Sequence, residues 1–128
     1  MTLEAMKGKR ILIVEDDALL AIDVSQHLEH AGYSVMGPAG SAAKALDLLG
    51  AQSCDAAILD VHLGREETSE PVAQELRSRG IPFVIVTAYS HEHLPEAYSG
   101  FVILTKPARM PDVIAEVRRC LGISKDSG

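Results

Sequence analysis

Short apolar runs punctuate this chain, and most of them stop abruptly at a polar residue or a turn. They are Ile11-Leu12-Ile13-Val14, Tyr33-Ser34-Val35-Met36, Ala56-Ala57-Ile58-Leu59, the stretch from Ile81 to Thr87, and Phe101-Val102-Ile103-Leu104. Runs of this length suit strands buried on both faces. Between them the apolar period changes to that of a helix. Leu20, Val24, Leu28 and Ala31 share one face, as do Ala42, Ala45, Leu46 and Leu49. Val72, Ala73 and Leu76 form a third such face, and Val113, Ile114, Val117 and Leu121 a fourth. The helix starts are marked by Asp16-Asp17, Gly40-Ser41, Glu70-Pro71 and Pro111, the ends by Gly32, Gly50 and Gly80. Gly37-Pro38 is expected to stop the second strand. The stretch from Ala88 to Gly100 carries Pro95 in its middle and few apolar residues, so it predicts at most a short helix.

The resulting order is βαβαβαβαβα. Such alternation predicts an α/β fold, a doubly wound five-stranded parallel sheet with helices on both faces. The flavodoxin-like strand order 2-1-3-4-5 is the natural one for five strands. The length of 128 residues suits one domain, expected over 9–121, with 122–128 as a disordered tail. A net charge of −6 argues against nonspecific nucleic-acid binding. No apolar run is long enough to span a bilayer, and the first residues lack the order of a signal peptide. Cys54 and Cys120 show no metal-binding spacing and read as reduced thiols of a cytoplasmic protein.

In open α/β sheets, ligands bind beyond the carboxyl ends of the strands. In the expected order, strands 1, 3, 4 and 5 lie side by side. Their ends carry Glu15-Asp16-Asp17, Asp60, Thr87 and Lys106. Each has an ordinary reading alone: an aspartate caps a helix, a threonine ends a strand, a lysine is solvated. Together they crowd carboxylates in one cleft, where like charges repel. A hard divalent cation such as Mg2+ offsets that repulsion, and Lys106 is a second source of positive charge. Metal, lysine and the Thr87 hydroxyl can bind the three oxygens of a phosphoryl group carried on Asp60 as an acyl phosphate.

This set of residues resembles the receiver domain of two-component response regulators, over roughly residues 9–121. The resemblance matches Asp16 and Asp17 to the family's acidic pair, Asp60 to its phosphoacceptor, Thr87 to its switch hydroxyl and Lys106 to its lysine. It implies phosphotransfer from a histidine kinase or phosphotransfer protein to Asp60, with Mg2+ held by Asp16, Asp17, Asp60 and the backbone carbonyl of His62. It also implies a cis peptide bond at Lys106-Pro107. The stretches Leu59 to Gly64 and Arg79 to Tyr89 resemble a narrower group of receivers, often single-domain, common in alphaproteobacteria. Three departures stand out. Leu63-Gly64 occupies the place of a usual Met-Pro pair, and His62 that of an asparagine. Ile103 stands where most receivers carry an aromatic switch residue three positions before the lysine, which leaves Tyr89 as an open alternative.

Two other classes compete with a signalling switch. An aspartate-based phosphohydrolase of similar layout would carry a D-x-D motif after the first strand and a cap domain; the acids here are adjacent. A phosphorylation-independent binding module would need a broken site, and this one is intact. His91-Glu92-His93 lacks the HExxH spacing of a zinc site. Only one helix follows Pro107, so output is expected through protein contacts on the 88–121 face, from a monomer or weak homodimer, unless the chain serves as a phosphate shuttle or sink.

Overall fold

The computed structural model describes residues 8–64, 66–88 and 94–122. Its elements run β1 (Arg10–Val14), α1 (Ala18–His30), β2 (Ser34–Ala39), α2 (Ala42–Ala51), β3 (Ala56–Leu59), α3 (Glu70–Ser78), β4 (Phe83–Thr87), a 3-10 turn (Glu96–Tyr98), β5 (Ile103–Thr105) and α4 (Met110–Cys120). All strands are parallel, in the order β2-β1-β3-β4-β5. The fold is therefore the doubly wound α/β sheet that the alternation predicts. The expected tail, from residue 123 onward, lies outside the described residues, as does Tyr89.

Side chains alternate across each strand, so the continuous apolar runs feed two cores at once. On one face Ile11, Ile13, Ile58, Val84 and Val86 pack against Val24 and Leu28 of α1 and Val113 and Val117 of α4. On the other, Leu12, Val14, Leu59, Phe83 and Ile85 pack against Ala45 and Leu49 of α2 and Val72 and Leu76 of α3. The four predicted helix faces are the buried ones.

One expectation needs correction. Gly37-Pro38 does not end the second strand. Gly37 takes φ +96°, its peptide bond to Pro38 is cis, and the pairing with β1 shifts register there before it resumes at Ala39 opposite Val14. A Cβ on Gly37 would lie 2.7 Å from the Ala39 nitrogen, which explains why glycine sits here. The stretch before β5 holds the short helix expected there, the 3-10 turn Glu96–Tyr98, and it is well anchored. Tyr98 is 1% exposed, Ala97 is buried, and Leu94 and Phe101 pack on the same core. Phe101 stacks on Phe83 with ring centroids 3.9 Å apart. Residues 89–93 of that stretch are not described.

Candidate functional site

Strand register places the site. Val14 pairs with Leu59 and Leu59 with Ile85, so β1 and β3 end level with each other beside β4. The residues that follow, Glu15 and Asp60, emerge side by side, and the Asp60 amide donates to the Val14 carbonyl at 3.0 Å. Thr87 pairs with Thr105 at the ends of β4 and β5, and the Lys106 amide donates to the Thr87 carbonyl at 2.8 Å. Thr87 is fully buried. The Lys106-Pro107 peptide bond is cis, as the resemblance implies.

Lys106 joins the two halves of the site. Its Nζ donates to Glu15 Oε1 and to Asp60 Oδ2, each at 2.7 Å. Both carboxylates are buried, at 8% and 7% exposure. The lysine stem borders an apolar cavity of about 320 Å³ between α1 and α4, lined by Leu20, Val24, Ile58, Val86, Met110 and Val113 among others. Burial works against the charge of Lys106. The hydrogen bonds and charges of Asp60 and Glu15 outweigh it, so the ammonium holds its proton more tightly than a free lysine does. Burial likewise pushes the Glu15 carboxyl upward. The hydrogen bonds from Lys106 and the Asp17 amide only partly offset that, and the charge of Asp60 adds to it.

The acids that converge are Glu15, Asp16 and Asp60, with one oxygen from each within 4.8 Å of the others. Of the predicted acidic pair, Asp16 lies in this cluster and Asp17 does not. Asp17 points elsewhere: its Oδ1 accepts from the amides of Leu19 at 3.1 Å and Leu20 at 3.2 Å, and it is the N-cap of α1. The third acid in a row lands on the helix cap because β1 ends at Val14 and α1 begins at Ala18. Glu15 was the residue the motif matching missed. The signal was present in the sequence, since the apolar run of β1 ends just before Glu15 as that of β3 ends just before Asp60.

The loop after Asp60 folds back on itself. His62 bridges to Thr68, the Leu63 amide donates to the Glu67 carbonyl at 2.8 Å, and the Ser69 amide to the Val61 carbonyl at 2.9 Å. The Gly64 amide reaches Asp16 Oδ2 at 3.0 Å and so ties the loop tip to the acids. Gly64, in place of a larger residue, takes φ +86° there. Asp60 Oδ1 is buried and has no hydrogen-bond partner, although its other oxygen is paired. Three carboxylates facing one ammonium, with a buried carboxylate oxygen left over, form a donor set that fits a hard divalent cation.

Comparison with known proteins agrees with this geometry. The response regulator receiver domain family matches residues 11–118. The chain belongs to that family. Among solved structures, SdrG from Sphingomonas melonis Fr1 is 36% identical, with a TM-score of 0.74 over 94% of this chain and 98% of its own. A CheY-like receiver domain protein from Methanospirillum hungatei superposes at a TM-score of 0.81 with 24% identity, over 95% of this chain and all of the other, and shows the shared fold. The transcriptional regulatory protein PdtaR of Mycobacterium tuberculosis is 30% identical over 117 residues, which is 89% of this receiver and 57% of PdtaR. The chain thus spans little more than half the length of that relative. No helix among the described residues is long and apolar enough to cross a membrane.

Proposed function

We propose that this receiver accepts a phosphoryl group on Asp60 from a phosphohistidine, with Mg2+, and passes the signal on through protein contacts in the cytoplasm. The observation that carries this reading is the environment of Asp60. It is a buried carboxylate at the end of the central strand, with one oxygen on Lys106 and the other unpartnered among Glu15 and Asp16.

In the transfer, a carboxylate oxygen of Asp60 attacks phosphorus, the O–P bond forms and the N–P bond of the donor imidazole breaks. The electron pair returns to the imidazole nitrogen, which takes up a proton. Lys106 supplies a fixed positive charge where negative charge gathers on the transferring oxygens. Its contacts to Asp60 and Glu15 hold it there beforehand, so little reorganisation is needed. Thr87, buried at the end of β4, would read a phosphoryl oxygen through its hydroxyl. Glu15, Asp16, Asp60 and the His62 carbonyl would hold the cation, which neutralises charge between the incoming group and the acids. Asp17 has no direct part in this set.

The donor's imidazole must reach Asp60, so the donor surface has to cover the rim of the site. The first turns of α1 form part of that rim and expose Leu19 and Ile22. The 88–121 face, which carries Thr87's continuation, β5 and α4, remains the surface proposed for the downstream partner, with the chain a monomer or weak homodimer and a signalling switch rather than an enzyme acting on a separate substrate.

Intact mass spectrometry after incubation with acetyl phosphate and Mg2+ tests the reading. One phosphoryl adduct, labile to hydroxylamine and absent from Asp60→Asn, is expected. An adduct of the same yield in Asp60→Asn would overturn it.

A further inference from the structure

Ser69 is the N-cap residue of α3, yet its side chain does not cap that helix. A serine there ordinarily accepts from an amide in the first helical turn. Here the Ser69 hydroxyl turns away and meets the Tyr98 hydroxyl at 2.9 Å, across a sequence separation of 29 residues. Ser69 is fully buried and Tyr98 is 1% exposed, so neither group has water as a ready alternative. The helix start forgoes a side-chain cap while the contact to Tyr98 is kept.

That contact joins the end of the loop after Asp60 to the turn before β5. On one side, Ser69 closes the loop that leaves Asp60, through its amide on the Val61 carbonyl. The far tip of the same loop is held by Asp16 through the Gly64 amide. On the other side, Tyr98 ends the 3-10 turn that leads into β5 and Lys106. The Ser99 carbonyl beside it accepts from Arg77 at 2.6 Å, which ties the turn back to α3. A path of hydrogen bonds and loop contacts therefore runs from Asp16 through the loop to Ser69, on to Tyr98 and to the entry of β5.

We propose that Tyr98 is a positioning residue for the phosphoacceptor loop. Through the hydroxyl of Ser69 it sets the loop that contains His62, and the same contact couples the occupancy of Asp60 to residues 96–101. By linkage, whatever stabilises the loop at the acids also stabilises the Tyr98 turn, and the reverse. The coupling to occupancy rests on the phosphoacceptor reading above; the positioning of the loop does not.

The test compares wild type with Tyr98→Phe, Ser69→Ala and the double variant, by hydrogen exchange and Mg2+ titration. In the ligand-free protein, the Leu63 and Ser69 amides should exchange about five- to tenfold faster in each variant, while Ile13 and Ile58 in the central strands stay within about twofold. The half-saturating Mg2+ concentration should rise about three- to tenfold, with the phosphorylated fraction at saturating Mg2+ unchanged. In wild type, Mg2+ with beryllofluoride should slow exchange at Tyr98, Ser99 and Phe101, and that change should vanish in all three variants. The double variant should match Tyr98→Phe, because Ser69→Ala removes only a contact that Tyr98→Phe has already lost, while Tyr98→Phe also gives up a hydrogen bond with Thr68. Unchanged exchange at Leu63 and Ser69 in Tyr98→Phe overturns the positioning role, and so do additive single effects. A retained beryllofluoride response at 98–101 in the variants overturns the coupling. If wild type binds neither Mg2+ nor beryllofluoride, the reading of the site fails, and the ligand-free exchange still decides the positioning role. Should Tyr98→Phe not fold, Ser69→Ala removes the same contact and leaves the ring in place.

Discussion

The Lys106 ammonium sits 2.7 Å from Asp60 Oδ2 and 2.7 Å from Glu15 Oε1, bridging carboxylates that follow two different strands. It therefore occupies charge that a divalent cation would also seek. Lys106→Ala leaves the two buried acids facing each other without that ammonium. At neutral pH the variant should lose about 1–3 kcal/mol of stability, the scale of a lost hydrogen bond to a charged group. Mg2+ should bind the variant more tightly than wild type and restore much of the loss, since the cation then meets uncompensated carboxylates. Thermal melts across a Mg2+ titration measure both effects. A variant that binds Mg2+ more weakly than wild type would show that the lysine arranges the acids rather than merely neutralising them.

Glu15 and Asp17 should separate cleanly. Glu15 converges with Asp16 and Asp60, whereas Asp17 caps α1. Asp17→Ala should cost about 1 kcal/mol of stability, the usual loss for a helix cap, and leave the Mg2+ midpoint within about twofold. Asp17→Asn should be nearly silent in both respects, because asparagine caps as well as aspartate. Glu15→Gln should weaken Mg2+ binding by about tenfold or more without unfolding the protein. Isothermal titration of the three variants checks this, and weaker binding confined to Asp17→Asn would restore the adjacent aspartates as the metal pair.

The three successive acids show where sequence reasoning reached its limit. The fold was legible because strands buried on both faces must be continuous apolar runs, and helices covering them must show one apolar face. Asp60, Thr87 and Lys106 were legible for the same reason, since each follows such a run directly. Three acids in succession carry no such marker. Which of them faces the cleft depends on the backbone angles at Asp16 and Asp17, where the chain leaves β1 and enters α1. Gly37-Pro38 misled in a related way: a dipeptide that usually ends a strand here forms a bulge within one. The Ser69–Tyr98 contact had no local signature at all, because it joins residues brought together only by the packing of α3 against the turn before β5.

Alkaline conditions should probe the core around Cys54. Burial pushes its thiol up to about 11, from an ordinary value near 9. Between those two values the unfolded chain loses a proton that the folded chain keeps. The unfolded state then binds fewer protons, so stability falls as pH rises through this window. The contribution is present below pH 9 and amounts to about 2–3 kcal/mol across the span. Cys54→Ala should flatten the decline of stability between pH 9 and pH 11, as read from urea melts at each pH. An equal slope in the variant would assign the alkaline loss to other groups. Iodoacetamide at pH 8 should also spare Cys54 in the folded protein and label it once urea is added.

Docking and chemistry should come apart at the start of α1. Leu19 is 82% exposed and Ile22 51%, on a helix whose cap is Asp17, immediately after the converging acids. Side chains this exposed add little to the fold, so Leu19→Ser and Ile22→Ser should change stability by less than about 0.5 kcal/mol. Neither residue is in the acid cluster or bonded to Lys106. Phosphorylation by acetyl phosphate should therefore proceed at the wild-type rate. A donor protein is different, because its histidine reaches Asp60 only if its surface covers the rim on which these two side chains stand. Apolar groups at the centre of such a contact are the ones whose loss is felt most. Transfer from a phosphorylated histidine phosphotransfer domain that is active on the wild type should fall about tenfold or more in the double variant, chiefly through a higher half-saturating donor concentration. Equal rates from the protein donor, with acetyl phosphate also unaffected, would mean that the donor approaches from the β5 side of the cleft and that Leu19 and Ile22 face another partner.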